Sequence, residues 1–474
     1  MIKQYLKESA VLTVGSVTQK VVTVIALMII SRIFGPLGVG QITLSLVSVT
    51  LFSEISLLGL ETTLSKFLAS YQKDKINFLP YYKIIIFIVL ATSTIAAVLH
   101  FTFSRFLAIT IYNDISIEPL LKIASLIIIF GNIYTIFYFS FRGLRDYVKM
   151  VLMDNIKQVL YLAIIIVLAV IYKQDITSIV LATVVSTILV LIIFLKPLIN
   201  KISLLEKFKT ELRRDILNYS LIAFVITIMG IISQNLDKIL IGSLLSTIDV
   251  GFYYSAFTFL SILNIVSVSL ANTMLSASSQ LEEDKKEYFI NKTLKYDIIL
   301  YFTASILFAT IPETIIIIFG DEFRNAVTLA FPLFIAGLFQ LTYSILNKFY
   351  FGSGDIKKMP LLYLLGLVID AVALIFLIDR FGVFGAGISQ IVYYLSMTVM
   401  LILMFKTKIN KNIIWLTFVN TVAILILREA YKFDLYLRII VSILVILASF
   451  CIIISVITKD EKDYIFNKIR KVFA

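Results

Sequence analysis

Fourteen apolar runs, each about long enough to cross a bilayer, follow one another along this chain with little between them. A helix needs roughly 20 mostly apolar residues to span the hydrocarbon core. The runs fall near 11–33, 40–65, 82–103, 119–141, 150–172, 176–196, 216–242, 249–275, 296–319, 326–350, 360–379, 383–405, 412–428 and 435–458. No soluble domain fits into what remains. Composition agrees: 60% of residues are hydrophobic, 15% are charged and mean hydropathy is +0.99. Soluble domains run nearer half apolar and a quarter charged. This excess cannot be buried inside a water-soluble globule, which excludes a soluble enzyme, a nucleic-acid-binding protein and a disordered chain. The expected fold class is an all-α polytopic membrane protein with about 14 transmembrane helices.

The net charge of +12 is spread as membrane topology requires and does not gather on one face, so nucleic acid is not an expected partner. With the N-terminus in the cytoplasm, every inner segment is basic: Lys3 and Lys7; Lys66, Lys73, Lys75 and Lys83; Arg142, Arg145, Lys149 and Lys157; then Lys196 to Arg214. The later inner segments follow suit with Lys285 to Lys295, Lys348 to Lys358, Lys406 to Lys411 and the tail from Lys459. Positive residues favour the cytoplasmic side, so both termini are expected inside the cell membrane. The start MIKQYLKESAVLTVGS mimics a signal peptide, but its apolar stretch is too long and lacks a cleavage pattern; it reads as an uncleaved first span. The single Cys451 allows no intrachain disulfide, and the single His100 argues against a histidine-built metal site.

The chain repeats itself. IISRIFGPLGVG ends at Gly40, and LIGSLLSTIDVG ends at Gly251, 211 positions later. IYTIFYFSFRGLRD and TYSILNKFYFGSGD align at nearly the same offset, pairing Tyr134 with Tyr343, Gly143 with Gly352 and Asp146 with Asp355. Six spans per repeat is an even number, so both halves keep one orientation. That predicts a pseudo-twofold axis along the membrane normal, with a substrate path between the halves. The expected organisation is a six-helix bundle over 1–200, a basic cytoplasmic linker over 201–215, a second bundle over 216–406, and two added helices with a tail over 407–474.

The 6+6+2 plan, the basic central loop, and the segments SRIFGPLGVGQITL, LDKILIGSLLSTIDVGFYYSA and IIIIFGDEFRNAV resemble the polysaccharide-transporter branch of the MOP flippase superfamily. The resemblance spans essentially the whole chain and specifies family better than substrate. It implies a flippase that moves a polyprenyl-diphosphate-linked oligosaccharide from the inner to the outer leaflet, ahead of glycan polymerisation. Membrane lipids and a glycan polymerase machinery are the implied partners.

Charges deep in a membrane are functional candidates by default. Lys20 lies roughly 14 Å into span 1 and Glu54 roughly 16 Å from the inner end of span 2, at 1.5 Å per residue. They form either a structural ion pair or a cavity pair in which Lys20 meets phosphate and Glu54 titrates. Asp370, about ten residues into span 11, is either a core acid or a coupling site. Asp237 and Lys238 adjoin near the outer end of span 7; an interfacial pair is the plainer reading, with Asp237 retained as a coupling candidate. Arg142 and Lys348 end spans 4 and 10, where snorkelling is the default and a basic mouth for a diphosphate the sharper alternative. Tyr134 and Tyr343, in matching spans, are candidates for stacking on sugar rings, although such stripes more often face lipid. FGPLGVG and FGVFGAG read as tight turns and close helix contacts, not nucleotide loops.

No GxxxxGK[ST] motif occurs, so no ATP hydrolysis and no cofactor are expected. Coupling to a proton or sodium gradient, or consumption of product outside, must drive net transport. Two other functions fit less well. An organic-cation antiporter of the same superfamily wants a mainly acidic cavity. A membrane-embedded polymerase or glycosyltransferase usually needs a sizeable extramembrane loop.

Overall fold

The computed structural model describes residues 2–74, 78–172, 175–203, 215–264, 267, 270–271, 274, 283–352 and 359–456. Lys75, most of the 201–215 linker, Lys357, Lys358, Asp355 of the repeat match and the basic tail lie outside the described residues. Those residues form helices and no strands. In order they are α1 (Ile2–Leu57), α2 (Leu60–Asp74), α3 (Leu79–Phe106), α4 (Glu118–Gly143), α5 (Tyr147–Ile165), α6 (Thr177–Ser203), α7 (Asp215–Leu244) and α8 (Thr247–Leu263). There follow α9 (Glu283–Thr310), α10 (Thr314–Phe319), α11 (Arg324–Gly352), α12 (Met359–Phe381), α13 (Val383–Phe405), α14 (Lys411–Ala430) and α15 (Leu435–Val456).

Most predicted spans fall on one of these helices, whereas 40–65 crosses the break between α1 and α2, 296–319 is divided between α9 and α10, and 249–275 runs past the end of α8. Eleven stretches among the described residues are long and apolar enough to cross a membrane. The count of fourteen is reached because α1 holds two spans, Thr247–Leu263 is apolar but shorter, and α9 carries a charged first half. The chain is therefore a multi-pass membrane protein of all-α fold. Inside α1, Gly35 takes φ 62° and ψ −170°, and Pro36 follows. Only glycine adopts that backbone cheaply, and proline suits the first turn of a new helix. The predicted tight turn thus divides α1 into two arms.

The repeat is written into a contact. A Cβ placed on Gly40 would overlap the Thr247 carbonyl oxygen, and one on Gly251 would overlap the Pro36 carbonyl oxygen. Adding 211 to Pro36 and Gly40 gives Thr247 and Gly251, so the two approaches are reciprocal, as a pseudo-twofold demands. The second arm of α1 and the start of α8 cross here backbone to backbone.

The chain forms two compact units. One comprises 1–258, 315–326 and 357–389; the other comprises 259–314, 327–356 and 390–474. Lipid tails are as apolar as leucine, so polar struts and close packing carry helix association inside a bilayer, at about 0.6 kcal/mol per hydrogen bond. In the first unit Asn132 donates to Ser56 and Ser93, both at 2.7 Å, linking α4 to α1 and α3. His100 bridges Ser48 and Ser125 at 2.9 Å each. Both its ring nitrogens are engaged as a strut. Asp146 caps α5 and pairs with Lys201 of α6 at 2.6 Å. In the second unit, Arg438 of α15 grips Glu313 through both terminal guanidinium nitrogens and also reaches the Thr310 carbonyl at 3.0 Å. Asn420 of α14 donates to Ser305 of α9 at 3.2 Å. These contacts dock the last two helices on α9.

Candidate functional site

A cavity of about 200 Å³ opens inside the first unit. Both arms of α1 line it, with Tyr161 from α5, Asn235 and Lys238 from α7, and Tyr254 from α8. The Gly35 turn sets the arms antiparallel, which brings Thr23 and Ile30 of one arm and Val39, Thr43 and Thr50 of the other to the same space. At the Gly35 end the reciprocal glycine contact lies beside further bonds. Thr247 donates to Asp114 at 2.7 Å, Gln41 to Ser116 at 2.6 Å, and Asn113 to the Ser243 carbonyl at 3.1 Å. At the opposite end of the second arm, the Ser220 hydroxyl donates to the Leu58 carbonyl at 2.7 Å, and Gly59 packs against the backbone of α7.

Lys238 and Asp237 are 5% and 2% exposed, which corrects the interfacial reading of this pair. The Lys238 ammonium donates to Asp237 at 2.8 Å and to the Gln234 carbonyl at 2.7 Å, while Tyr253 donates to the other Asp237 oxygen at 2.7 Å. A buried pair persists only with its remaining valences satisfied in this way. Asp370 of α12 is fully buried and interacts electrostatically with both members of the pair. Neither of its carboxylate oxygens has a hydrogen-bond partner. Three ionisable groups thus gather where two helices distant in sequence meet. Glu54 is not among them: half-buried in the second arm, it has Glu61 as a charged neighbour.

Lys20 occupies an exposed position on the first arm. Gly15 packs against Val151 of α5, and Thr23 shares the cavity with Tyr161. The first arm and α5 therefore run parallel, which brings Lys20 level with Lys157. Lys157, one of the basic residues of an expected inner segment, has an acid near it, Asp154, that carries no signal of its own in the sequence. Both lie inside α5, one turn apart. Tyr134 of α4 donates a hydrogen bond to Asp154, and the Lys157 ammonium sits 4.3 Å above the Tyr134 ring. Tyr138 stacks on Tyr134 with ring centroids 6.4 Å apart. The signal that would have found this cluster is an i, i+3 charge pair within an apolar helix.

The remaining candidates stand elsewhere. Arg142 is exposed at the end of α4, 5.5 Å from the Phe139 ring. Tyr343 and Lys348 belong to the second unit: Tyr343 is half-buried with its ring 6.1 Å from that of Tyr394, and Lys348 is exposed. Among the described residues no group of three His, Cys, Asp or Glu side chains is placed to hold a metal ion.

The family model described as "Polysaccharide biosynthesis protein" matches residues 5–281, more than half of the chain. No curated protein sequence matches significantly. Among solved structures, the chain resembles the lipid II flippase MurJ in an inward closed conformation, with a TM-score of 0.66 and 15% identity over 92% of this chain and 97% of that one. It also resembles an inward-facing multidrug resistance MATE transporter of the MOP superfamily, with a TM-score of 0.63 and 12% identity over 84% and 95%. A MOP superfamily transporter from Pyrococcus furiosus, titled for the reverse polarity of its binding pocket, gives 0.62 and 12% over 88% and 95%. At these identities the likeness is one of fold.

Proposed function

The chain belongs to the polysaccharide biosynthesis protein family, and from that premise we propose that it flips a polyprenyl-diphosphate-linked oligosaccharide from the inner to the outer leaflet by alternating access. It acts as a transporter, not an enzyme. The observation that carries this reading is the register of the first arm of α1 against α5, set by Gly15 on Val151 and by the cavity that Thr23 and Tyr161 share, which puts Lys20 and Lys157 at corresponding levels of neighbouring helices beside that cavity. Two lysines at one level of neighbouring helices suit the two phosphates of a diphosphate. An organic-cation antiporter would want an unpaired acid facing the cavity, and the charged group lining it is Lys238, paired with Asp237 at 2.8 Å.

In this reading both termini face the cytoplasm, the Gly35 turn faces outward, and product passes to a glycan polymerase. A cysteine replacing Lys207, in a variant lacking Cys451, should react with an impermeant maleimide only from the cytoplasmic side; labelling from outside would reverse the orientation.

Asp370 with Asp237 is the coupling site of this reading. A buried carboxylate without hydrogen bonds carries a large desolvation cost, which a bound proton or sodium ion relieves. Loading therefore biases one conformation over another. In proteoliposomes, Asp370→Asn should remove the dependence of transport on an imposed proton or sodium gradient, whereas Glu54→Gln, outside the trio, should retain it. Full gradient dependence in Asp370→Asn would place coupling elsewhere.

A further inference from the structure

We infer that the cavity lined by Tyr161, Tyr254, Asn235 and the α1 threonines is the seat of the sugar ring next to the diphosphate, with the two tyrosines as its platforms. This rests on the flippase reading and names what the site selects.

The hydrogen-bonding sense of the lining discriminates between ligands. Thr23 donates to the Gln19 carbonyl at 2.9 Å, Thr43 to Val39 at 2.7 Å and Thr50 to Leu46 at 2.7 Å. A hydroxyl has one hydrogen to give, so these three offer only acceptor lone pairs to the cavity. Asn235 spends one amide hydrogen on the Ile231 carbonyl at 2.9 Å. An ionised phosphate can only accept, and none of these three threonines can donate to it. Sugar hydroxyls donate, and they find acceptors on several sides.

Charge points the same way. Lys238 lines the cavity but carries its own counter-ion, Asp237, at 2.8 Å. The lining is electrically balanced, which suits a neutral polyol better than an anion or a cation. The volume of about 200 Å³ is on the scale of one sugar ring, not a whole oligosaccharide.

The aromatic rings complete the fit. Tyr161 and Tyr254 lie within electrostatic reach of each other, and Thr183 and Thr258 are their respective side-chain partners. The negative face of a phenol ring attracts the polarised C–H bonds of a pyranose. The Tyr134 ring, by contrast, is already engaged by Lys157 and Tyr138.

Spacing ties the seat to the diphosphate. Lys20 precedes Thr23 by three residues and Lys157 precedes Tyr161 by four. On parallel helices both lysines leave the backbone on the same side of these two lining residues, by roughly 4.5–6 Å along the axis. That is the offset between a sugar ring and the phosphates on its anomeric oxygen.

The test compares two lipids by binding to the purified full-length protein in detergent: a short-chain polyprenyl diphosphate bearing one N-acetylglucosamine, and the same lipid without sugar. Wild type should bind the sugar-bearing lipid about tenfold tighter. Tyr161→Leu with Tyr254→Leu should erase that preference, the sugar-free lipid shifting less than about twofold. Tyr161→Phe with Tyr254→Phe, which keeps the rings, should retain most of it. An unchanged preference in the leucine variant, with the protein monodisperse, overturns the inference. If neither lipid binds wild type, the flippase reading falls and this inference with it. If both bind wild type equally, the diphosphate site survives and only the sugar seat is lost.

Discussion

Gly251→Val should abolish transport while leaving the protein inserted and monodisperse. A Cβ at Gly251 runs into the Pro36 carbonyl, and one at Gly40 into the Thr247 carbonyl. Both obstacles are backbone atoms in helix starts, which cannot swing aside as a flexible side chain would. Overpacking costs about 1–3 kcal/mol where neighbours can adjust, and here the adjustment must be separation of the two helices. The arrangement in which this contact is made should therefore lose roughly one to two orders of magnitude in population. In a background lacking Cys451, a cysteine replacing the buried Thr43 should become reactive to an impermeant reagent added outside. Gly40→Val should behave alike, because the contact is reciprocal. Wild-type transport and an unreactive position 43 in both variants would mean that this contact does not close the cavity.

Lys20→Ala and Lys157→Ala should each lower export of lipid-linked glycan by roughly ten- to a hundredfold, since a hydrogen bond to a charged group contributes about 1.5–3 kcal/mol. Lys20→Arg should retain activity, because a guanidinium also pairs with phosphate. The rescue pattern separates binding from local neutralisation. Lys157 lies beside Asp154, so if Asp154→Asn restores the Lys157→Ala variant, the lysine serves only to balance that acid. Glu54→Gln should not rescue Lys20→Ala, because Glu54 has a second acid, Glu61, as a charged neighbour. Wild-type export by Lys20→Ala would remove the phosphate role.

The spans were legible because membrane insertion is decided by hydropathy over a window of residues, which is a property of sequence alone. The Gly35–Pro36 turn was legible for a similar reason, since few residue pairs tolerate that backbone. The 211-residue repeat foretold which backbones would meet, although the meeting itself needed coordinates. Burial of Asp237 and Lys238 was not legible: they lie near one end of α7, and what covers them comes from Tyr253 and Asp370, on other helices. The Asp154–Lys157 pair was hidden because a basic residue near a span end serves equally as a topology signal. The acceptor-rich cavity was least accessible, since threonine patterns in apolar helices do not reveal which hydroxyls converge.

The most direct test of the central claim is flipping by the purified protein in proteoliposomes. A labelled polyprenyl-diphosphate disaccharide is placed in both leaflets, and the outer pool is consumed by an added glycosidase. With the protein present under an ion gradient, nearly all the label should become accessible within minutes, and Lys20→Ala should slow that conversion at least tenfold. Conversion that stops at the outer-leaflet fraction, as in protein-free vesicles, would contradict the account.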